Sequence, residues 1–280
     1  HMILPGARFG HFIIEKKVGS GSNGTVYRAR SIEGRSTVAI KVLASALAKD
    51  STVLTMFQEE ARTGLELNHP NIVQTLYVGE NNGIPYIVFE FVDGVSLGTL
   101  LQKGSLPQEH CLWILRQLAQ GLRQLRQKQI VHQDIKPDNI LIDKQGNAKL
   151  TDLGFARAAR GKISWTGVAA GTALYISPEQ ARGLKQVDCR ADIYSLGATI
   201  YHCATGSPPF DSINETELLK MHVEKAPVSA LVRNPKLNRE FAEILWKMLA
   251  KKPEERFEHP EELLLALRLI NISATSPFAK

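Results

Sequence analysis

Only three cysteines occur in 280 residues, Cys111, Cys189 and Cys203, with neither a C-x-x-C pair nor a histidine spacing of the zinc type. A disulfide framework and a cysteine-held metal are thereby set aside, and buried reduced thiols of a cytosolic compartment are expected. No run of five or more basic residues appears. The net charge of +6 therefore reads as a dispersed, solvated basic surface and not as a nucleic-acid site. Long apolar runs are missing too. The longest uncharged stretch, Ile193 to Phe210, contains Gly, Ser, His and two prolines, and reads as a buried helix running into a turn instead of a membrane span. There is no internal repeat, low-complexity tract or signal-peptide pattern, and His1-Met2 reads as a remnant of cloning. What remains, 44% apolar and 22% charged residues, is a globular composition with ample material for a core. The length suits one large domain with two lobes, or two small domains.

What the chain does contain is a dense chemical stretch from Val131 to Gly154, VHQDIKPDNILIDKQGNAKLTDLG. Two short β-branched or leucine-rich runs, Ile140–Ile142 and Ala148–Thr151, read as strands joined by a turn at Lys144-Gln145-Gly146-Asn147. Such a hairpin holds Asn139 at the entry of one strand and Asp152 at the exit of the next. Two hard oxygen ligands are then available for a magnesium ion carrying phosphates. Asp134 lies on the loop leading in, where a carboxylate can accept a proton from an attacking hydroxyl. The competing reading is that these are ordinary turn formers around a hairpin.

Upstream, Gly19, Gly21 and Gly24 interrupt two β-like runs between Phe12 and Val42. Glycine lets backbone approach a ligand without a Cβ in the way, so a hairpin tip of this kind can lie over phosphates. A strand and not a helix follows, which argues against a dinucleotide fold. Lys41 ends Ala39-Ile40-Lys41; read alone, it would more often be a solvated charge at a strand end, and its distance past the glycine hairpin tips the balance to a phosphate contact. A helix is expected over about Leu54 to Leu67, with Phe57, Ala61 and Leu65 on one stripe, stopped by Asn68-His69-Pro70. Glu59 and Glu60 on it are both candidate partners for Lys41. Strands over Ile72–Val78 and Pro85–Phe91, with a turn at Glu80-Asn81-Asn82-Gly83, complete five strands and one helix. A short linker at Val92-Asp93-Gly94 follows.

Helical periodicity then takes over. Ser105-Leu-Pro-Gln reads as an N-cap with a Gln three residues on, before Cys111, Leu115, Leu118, Leu122 and Leu125 at helical spacing. The stretch after Gly154 up to Gln180 has no clear period and many small residues, as a loop would. Helices are expected over Asp188 to Ala204 and near Glu215–Glu224, Arg239–Ala250 and Pro260–Leu269. Residues 271–280 read as a tail or linker.

Taken in order, these elements resemble the protein kinases: G-x-G-x-x-G-x-V at Gly19 to Val26, A-I-K at Lys41, H-x-D-x-x-x-x-N from His132 to Asn139, D-L-G at Asp152 to Gly154, and S-P-E at Ser177 to Glu179. The likeness is strongest to bacterial serine/threonine kinases of eukaryotic (Hanks) type. It implies an α+β, two-lobed protein kinase fold: an N-lobe over 9–92 with a five-stranded antiparallel sheet and one helix, and a mainly helical C-lobe over 93–270. It also implies transfer of the γ-phosphoryl group of ATP to Ser/Thr hydroxyls of proteins, autophosphorylation included, with Mg2+, or Mn2+ in its place, as the metal.

The resemblance gives each position a task. Lys41, partnered by Glu60, orients the phosphates under the Gly19, Gly21 and Gly24 loop. Phe89 is the gatekeeper, Glu90 and Val92 offer main-chain hydrogen bonds to adenine, and Val26, Ala39 and Leu141 pack on its faces. Asn139 and Asp152 hold the metal, Asp134 is the catalytic base, and Lys136 meets the γ-phosphate as charge builds. Lys136 with Thr172 is the serine/threonine pattern. Ser164 and Thr166 stand at activation-loop positions open to phosphorylation. Asp192 anchors the catalytic loop, and Arg256 pairs with Glu179. Gln133 departs from the family's usual arginine, which implies activity without loop phosphorylation, because a neutral amide cannot make the charge-assisted bonds that a phosphate invites. The alternatives are a pseudokinase scaffold that binds nucleotide without transfer, and a small-molecule phosphotransferase. Protein substrates are the partners implied; nucleic acid and a membrane segment in this chain are not. The implied location is cytoplasmic, alone or as the cytoplasmic domain of a membrane-anchored protein.

Overall fold

The computed structural model describes residues 3–20, 23–153, 157–158 and 171–278. Gly21, Gly154, Ser164 and Thr166 lie outside the described residues. The chain divides into two compact units. One runs through Asp93 and takes in the segment beginning at Asp152; the other comprises Gly94–Thr151 and the remainder.

The first unit is an antiparallel sheet of six strands, one more than the sequence suggests: β1 (Arg8–Phe9), β2 (Phe12–Ser20), β3 (Gly24–Ser31), β4 (Thr37–Leu43), β5 (Thr75–Asn81) and β6 (Ile84–Glu90), in the order β1-β2-β3-β4-β6-β5. The extra strand is two residues long, too short to carry an alternation. It forms because Phe9 is buried, its ring 5.0 Å from that of Tyr86 in an edge-on contact, and because Gly10 turns the chain at a φ of 58°. Register separates the two faces of the sheet. Ile14, Tyr27, Ala29, Val38, Ile40, Tyr86 and Val88 form a core on one side. On the other, Gly19 stands opposite Val26, Val26 opposite Lys41, and Ala39 opposite Phe89. The β5–β6 turn has Asn82 and Gly83 both at positive φ, 51° and 77°, as a type I′ hairpin needs.

Helix α1 (Ser51–Leu65) begins a turn earlier than its apolar residues suggest, because Asp50 caps it, accepting from the N–H groups of Thr52 and Val53. Its buried stripe is Phe57, Glu60, Ala61 and Gly64, at i, i+3, i+4 and i+7; Leu65, expected on that stripe, is exposed. Phe57 and Ala61 pack on Leu43 and Ile87.

The second unit is mainly helical. β7 (Gly94–Ser96) leads into α2 (Leu97–Leu101) and the long α3 (Gln108–Gln127), whose buried residues include the expected Cys111, Leu115, Leu118, Leu122 and Leu125. Ser105 does not cap it: Pro107 occupies the N-cap position, and the adjacent Leu106 N–H donates to the Cys203 carbonyl instead. After β8 (Ile130–Val131) comes the expected hairpin, β9 (Ile140–Asp143) and β10 (Ala148–Leu150), with β9 central between β10 and β7. Asp143 Oδ1 accepts from the N–H groups of Gln145 and Asn147, and Gly146 takes a φ of 82°, which closes the turn. The short strand β11 (Arg157–Ala158) pairs with β8.

The short α4 (Pro178–Ala181) precedes α5 (Cys189–Thr205), which is buried at nearly every position from Ala191 to Ala204 and forms the centre of this unit. Around it lie α6 (Glu215–Glu224), α7 (Ala230–Arg233), α8 (Arg239–Met248) and α9 (Pro260–Arg268). Residues 271–278 form no helix or strand but are tied down: Arg116 donates to the Ser273 carbonyl at 3.0 Å, and the Phe278 ring meets that of His110 at 4.3 Å. Among the described residues no helix is long and apolar enough to cross a membrane.

Candidate active site

In the first unit, Lys41 extends from β4 on the face of the sheet that carries Val26 and Ala39, and its ammonium is almost wholly enclosed. Its Nζ lies 2.8 Å from Glu60 Oε2, 3.0 Å from Glu60 Oε1 and 4.0 Å from Asp152 Oδ1. Glu59 turns outward to Arg62 at 2.7 Å, so the helical stripe separates the two candidate glutamates. Burial alone lowers the lysine pKa. The carboxylates of Glu60 and Asp152, with the hydrogen bond to Glu60, outweigh it and leave the pKa raised, so Lys41 is a fixed positive charge. Asp152 is partly exposed and sits at a φ of 61°, sparsely populated for a non-glycine residue.

The glycines differ in character. A Cβ at Gly24 would collide with the Val42 carbonyl, so the close pairing of β3 on β4 accounts for that glycine. A Cβ at Gly19 would meet nothing within 4 Å, so protein packing does not require it, and open space lies beside it. Phe89 is partly buried and packs against the cluster of Leu43, Phe57, Ala61 and Ile87. The strand pairing of Glu90 is supplemented from its flank: its N–H donates to the Gln74 carbonyl and its Oε1 accepts from the Gln74 N–H. Val92 is half-buried just after β6.

In the second unit the site is built on the loop between β8 and β9. Asp134 is buried and accepts on both oxygens: Oδ1 from the Thr172 hydroxyl at 2.6 Å, Oδ2 from Asn139 Nδ2 at 2.9 Å. Lys136 Nζ donates to the same Thr172 hydroxyl at 3.1 Å and lies 3.7 Å from Asp134 Oδ1. The Thr172 hydroxyl thus accepts from the lysine and donates to the carboxylate, which fixes its proton. Asn139 is set by a single 3₁₀ turn over Pro137–Asn139, and its Nδ2 also donates to the Asp134 carbonyl at 2.9 Å. With both bonds taken by the amide nitrogen, Oδ1 faces the other way and has no hydrogen bond among the described residues. Such a hard oxygen suits Mg2+ or Ca2+, not a soft metal. Among the described residues no group of three His, Cys, Asp or Glu side chains forms a cage. Leu141, on β9, is half-exposed between buried Ile140 and Ile142.

The loop is held from behind by main-chain contacts. Asp192, buried on α5, accepts from the N–H of His132 at 2.7 Å and of Gln133 at 2.9 Å. Burial pushes its pKa up to about 6, against the lowering effect of nearby His132 and of those two donors. The His132 ring accepts from the Asp134 N–H on Nδ1, so its Nε2 carries the proton it donates to the Thr151 carbonyl at 3.0 Å. Gln133 takes a φ of 69°, and its carbonyl accepts from Gln180 Nε2 at 2.9 Å. Gln180 Oε1 in turn accepts from the Ser177 hydroxyl at 2.9 Å, and Ser177 caps α4. This neutral chain of contacts is one that sequence reasoning missed. The signal was there in Ser177-Pro-Glu-Gln180, a capping box in form. Glu179 forms a bidentate pair with Arg256 at 2.7 and 2.8 Å, and the remaining Arg256 donors go to the carbonyls of Ala250, Arg190 and Lys251.

Comparison with known proteins identifies the family and the fold. Residues 12–265 match the protein kinase domain family. The chain is 38% identical over 253 residues to the serine/threonine-protein kinase PknB of Mycobacterium leprae, covering 88% of this chain and 40% of that protein. It is 37% identical over 256 residues to the serine/threonine-protein kinase PrkC of Bacillus subtilis, covering 91% and 39%. It therefore spans about two fifths of the length of these curated relatives. Among solved structures, the kinase domain of Mycobacterium tuberculosis PknI is similar with a TM-score of 0.73 at 26% identity, covering 96% of this chain and 99% of that one. The α+β arrangement of a strand-rich and a helical unit is the protein kinase fold. Matched over most of its length by sequence and by fold, the chain belongs to the protein kinase domain family, in its bacterial, eukaryotic-like serine/threonine branch.

Proposed function

We propose that this chain transfers the γ-phosphoryl group of ATP to serine or threonine hydroxyls of protein substrates, itself included, with Mg2+ as the working ion. The observation that carries the reading is the buried cluster on the loop before β9: a carboxylate, Asp134, oriented by Asn139 and Thr172 with the Lys136 ammonium 3.7 Å away. Phosphoryl transfer asks little covalent chemistry of a protein; positioning and charge neutralisation supply most of the rate. In this reading Asp134 orients the acceptor hydroxyl and takes its proton. Lys136 neutralises charge on the transferring group, and Thr172 holds Lys136 and Asp134 in register. Lys41, kept cationic by Glu60, takes the phosphates beneath Gly19, Gly21 and Gly24. Val26, Ala39 and Leu141 offer apolar contact to the base, Phe89 stands as gatekeeper, and the main chain at Glu90 and Val92 offers its hydrogen bonds.

The family brings with it ATP, a divalent metal and protein substrates. Here Asn139 Oδ1 and the Asp152 carboxylate would hold the ion, which would supply neutralisation of the phosphate charge. A cytoplasmic location is part of the proposal, as is a lobe boundary at Val92–Asp93.

The test is phosphate incorporation from ATP with Mg2+, into the protein and into a basic protein substrate, for the parent, Lys41→Met and Asp134→Asn. Transfer in the parent and its collapse in both variants is expected. Nucleotide binding with no transfer by any of the three would replace the kinase with a scaffold.

A further inference from the structure

Apart from this site, a groove of about 750 Å3 runs between α3 and α9, closed at one end by the segment after α9. Its two walls differ in chemistry. Along α3, Arg116, Gln120 and Arg123 stand at i, i+4 and i+7, one stripe of a helix, and Arg268 at the end of α9 adds a third guanidinium. The other wall is aliphatic, and Leu265 and Leu269 on it are 57% and 88% exposed. Such large apolar side chains beside a basic stripe are the composition of a contact surface.

The charge in the groove is unbalanced. Its one carboxylate, Glu261, pairs through Oε1 with Arg126 at 3.2 Å, a residue outside the groove lining, while its Oε2 has no hydrogen-bond partner among the described residues. Arg116 stacks on Trp113 and donates to the Ser273 carbonyl, which keeps its charge while fixing its place. Arg123 and Arg268 have no carboxylate partner among the described residues. Contacts between residues 271–278 and α3 hold its end wall, so it does not depend on a ligand to form.

We propose that this groove docks an acidic amphipathic helix of a partner protein, with glutamates or aspartates against Arg116, Arg123 and Arg268 and leucine-type side chains against Leu265 and Leu269. A concave trough with one basic and one aliphatic wall matches the two faces of such a helix. A bilayer would reach only the outermost side chains and leave the trough empty. A second copy of this chain carries the same net charge of +6, so the long-range interaction between copies is repulsive.

The probe is a fluorescein-labelled helical peptide of leucine and glutamate with the two residue types on opposite faces, read by anisotropy against the whole chain. Saturable binding is expected, weaker by about tenfold or more in Arg123→Glu/Arg268→Glu and in Leu265→Ser/Leu269→Ser, and weaker at high salt. Arg239→Glu on α8 serves as the remote control and leaves it unchanged. The altered side chains are exposed, and a matching thermal melt shows that each variant is folded. Equal affinity for the lysine counterpart of the peptide, or no loss in the charge-reversal variant, overturns the proposal. So does co-sedimentation with phosphatidylglycerol vesicles that needs the same arginines while the peptide does not bind, which reassigns the face to a membrane. Self-association lost in the same variants overturns it in favour of a dimer. None of these readouts depends on phosphoryl transfer.

Discussion

Two aspartates of the helical unit, Asp134 and Asp192, are equally buried and are held in opposite ways. Asp192 meets main-chain N–H groups, those of His132 and Gln133, and among the described residues no cation bonds to it. The Asp134 carboxylate is met by side chains: an amide, a hydroxyl and, at 3.7 Å, an ammonium. Main-chain donors cannot leave without unfolding the loop, whereas side-chain donors can rotate away when a substrate hydroxyl arrives. One carboxylate is therefore built to stay as it is and the other to exchange partners, and the difference separates anchoring from chemistry within a few residues of the same loop.

The largest effect expected from this contrast is on turnover. Asp134→Asn keeps the shape and the Asn139 and Thr172 neighbours but removes the base, and transfer falls by about 10²- to 10⁴-fold. The urea midpoint falls by far less than activity does, because the amide keeps one acceptor oxygen for the donors around it. If stability falls as far as activity, the two aspartates are alike and the contrast fails.

Asp192→Ala reverses the pattern. It leaves two buried N–H groups without an acceptor, each costing about 1–3 kcal/mol, so equilibrium unfolding in urea should show a loss of about 2–6 kcal/mol. The same group gives a pH signature. Its folded pKa of about 6 exceeds the ordinary carboxylate value of about 4, so between these values the folded state binds more protons than the unfolded one. Its contribution is therefore fully present at low pH and is lost as pH rises through about 6, by roughly 2–3 kcal/mol in all. Carboxylates with lowered pKa, Asp188 and Glu262, slope the other way. The difference between parent and Asp192→Asn, followed by urea midpoints from pH 4.5 to 7.5, isolates the one group.

A smaller effect sharpens the comparison at the loop's other support. Gln180→Leu removes the amide that reaches the Gln133 carbonyl and leaves the Ser177 hydroxyl without its partner. The loop then loses one of the two contacts that hold Gln133 at positive φ. A fall in kcat of about tenfold, equivalent to about 1.4 kcal/mol, is expected with the KM for ATP unchanged. A change confined to KM would place Gln180 in nucleotide binding instead.

What could be read in the chain, and what could not, follows the range of the interactions. The β9–β10 hairpin and the spacing of Asp134, Lys136 and Asn139 are local, and turn chemistry with short-range alternation discloses them. The choice of Glu60 over Glu59 came from family likeness, although helical geometry held it too: 57, 60, 61 and 64 share one face, and the stripe through Leu65 missed this. Strand β1 was illegible because two residues carry no period; only the distant ring of Tyr86 makes Phe9 a strand residue. Ser105 failed as a cap because its neighbour found a partner almost a hundred residues away, at Cys203. The grouping of Asp152 with the first unit, through Lys41, likewise depends on tertiary contact that no window of sequence contains.

The smallest expected effect concerns residues that the family would make decisive. An arginine in place of Gln133 would bring a positive charge that a phosphorylated loop could neutralise through charge-assisted bonds. Here the main chain at Gln133 is already secured on both sides, its N–H on Asp192 and its carbonyl on Gln180, and its side chain is neutral. The loop before β9 thus has its supports without a phosphate. Replacing both Ser164 and Thr166 by alanine should leave kcat/KM within about twofold of the parent, less than 0.5 kcal/mol of transition-state stabilisation. A hundredfold loss would mean that a phosphate at one of them does hold the site, despite the missing arginine. The companion variant Gln133→Arg makes the inference sharper: with a half-buried charge introduced and no phosphate to meet it, the double-alanine background should be the one that suffers, and treatment with a phosphatase should begin to lower activity where in the parent it does not.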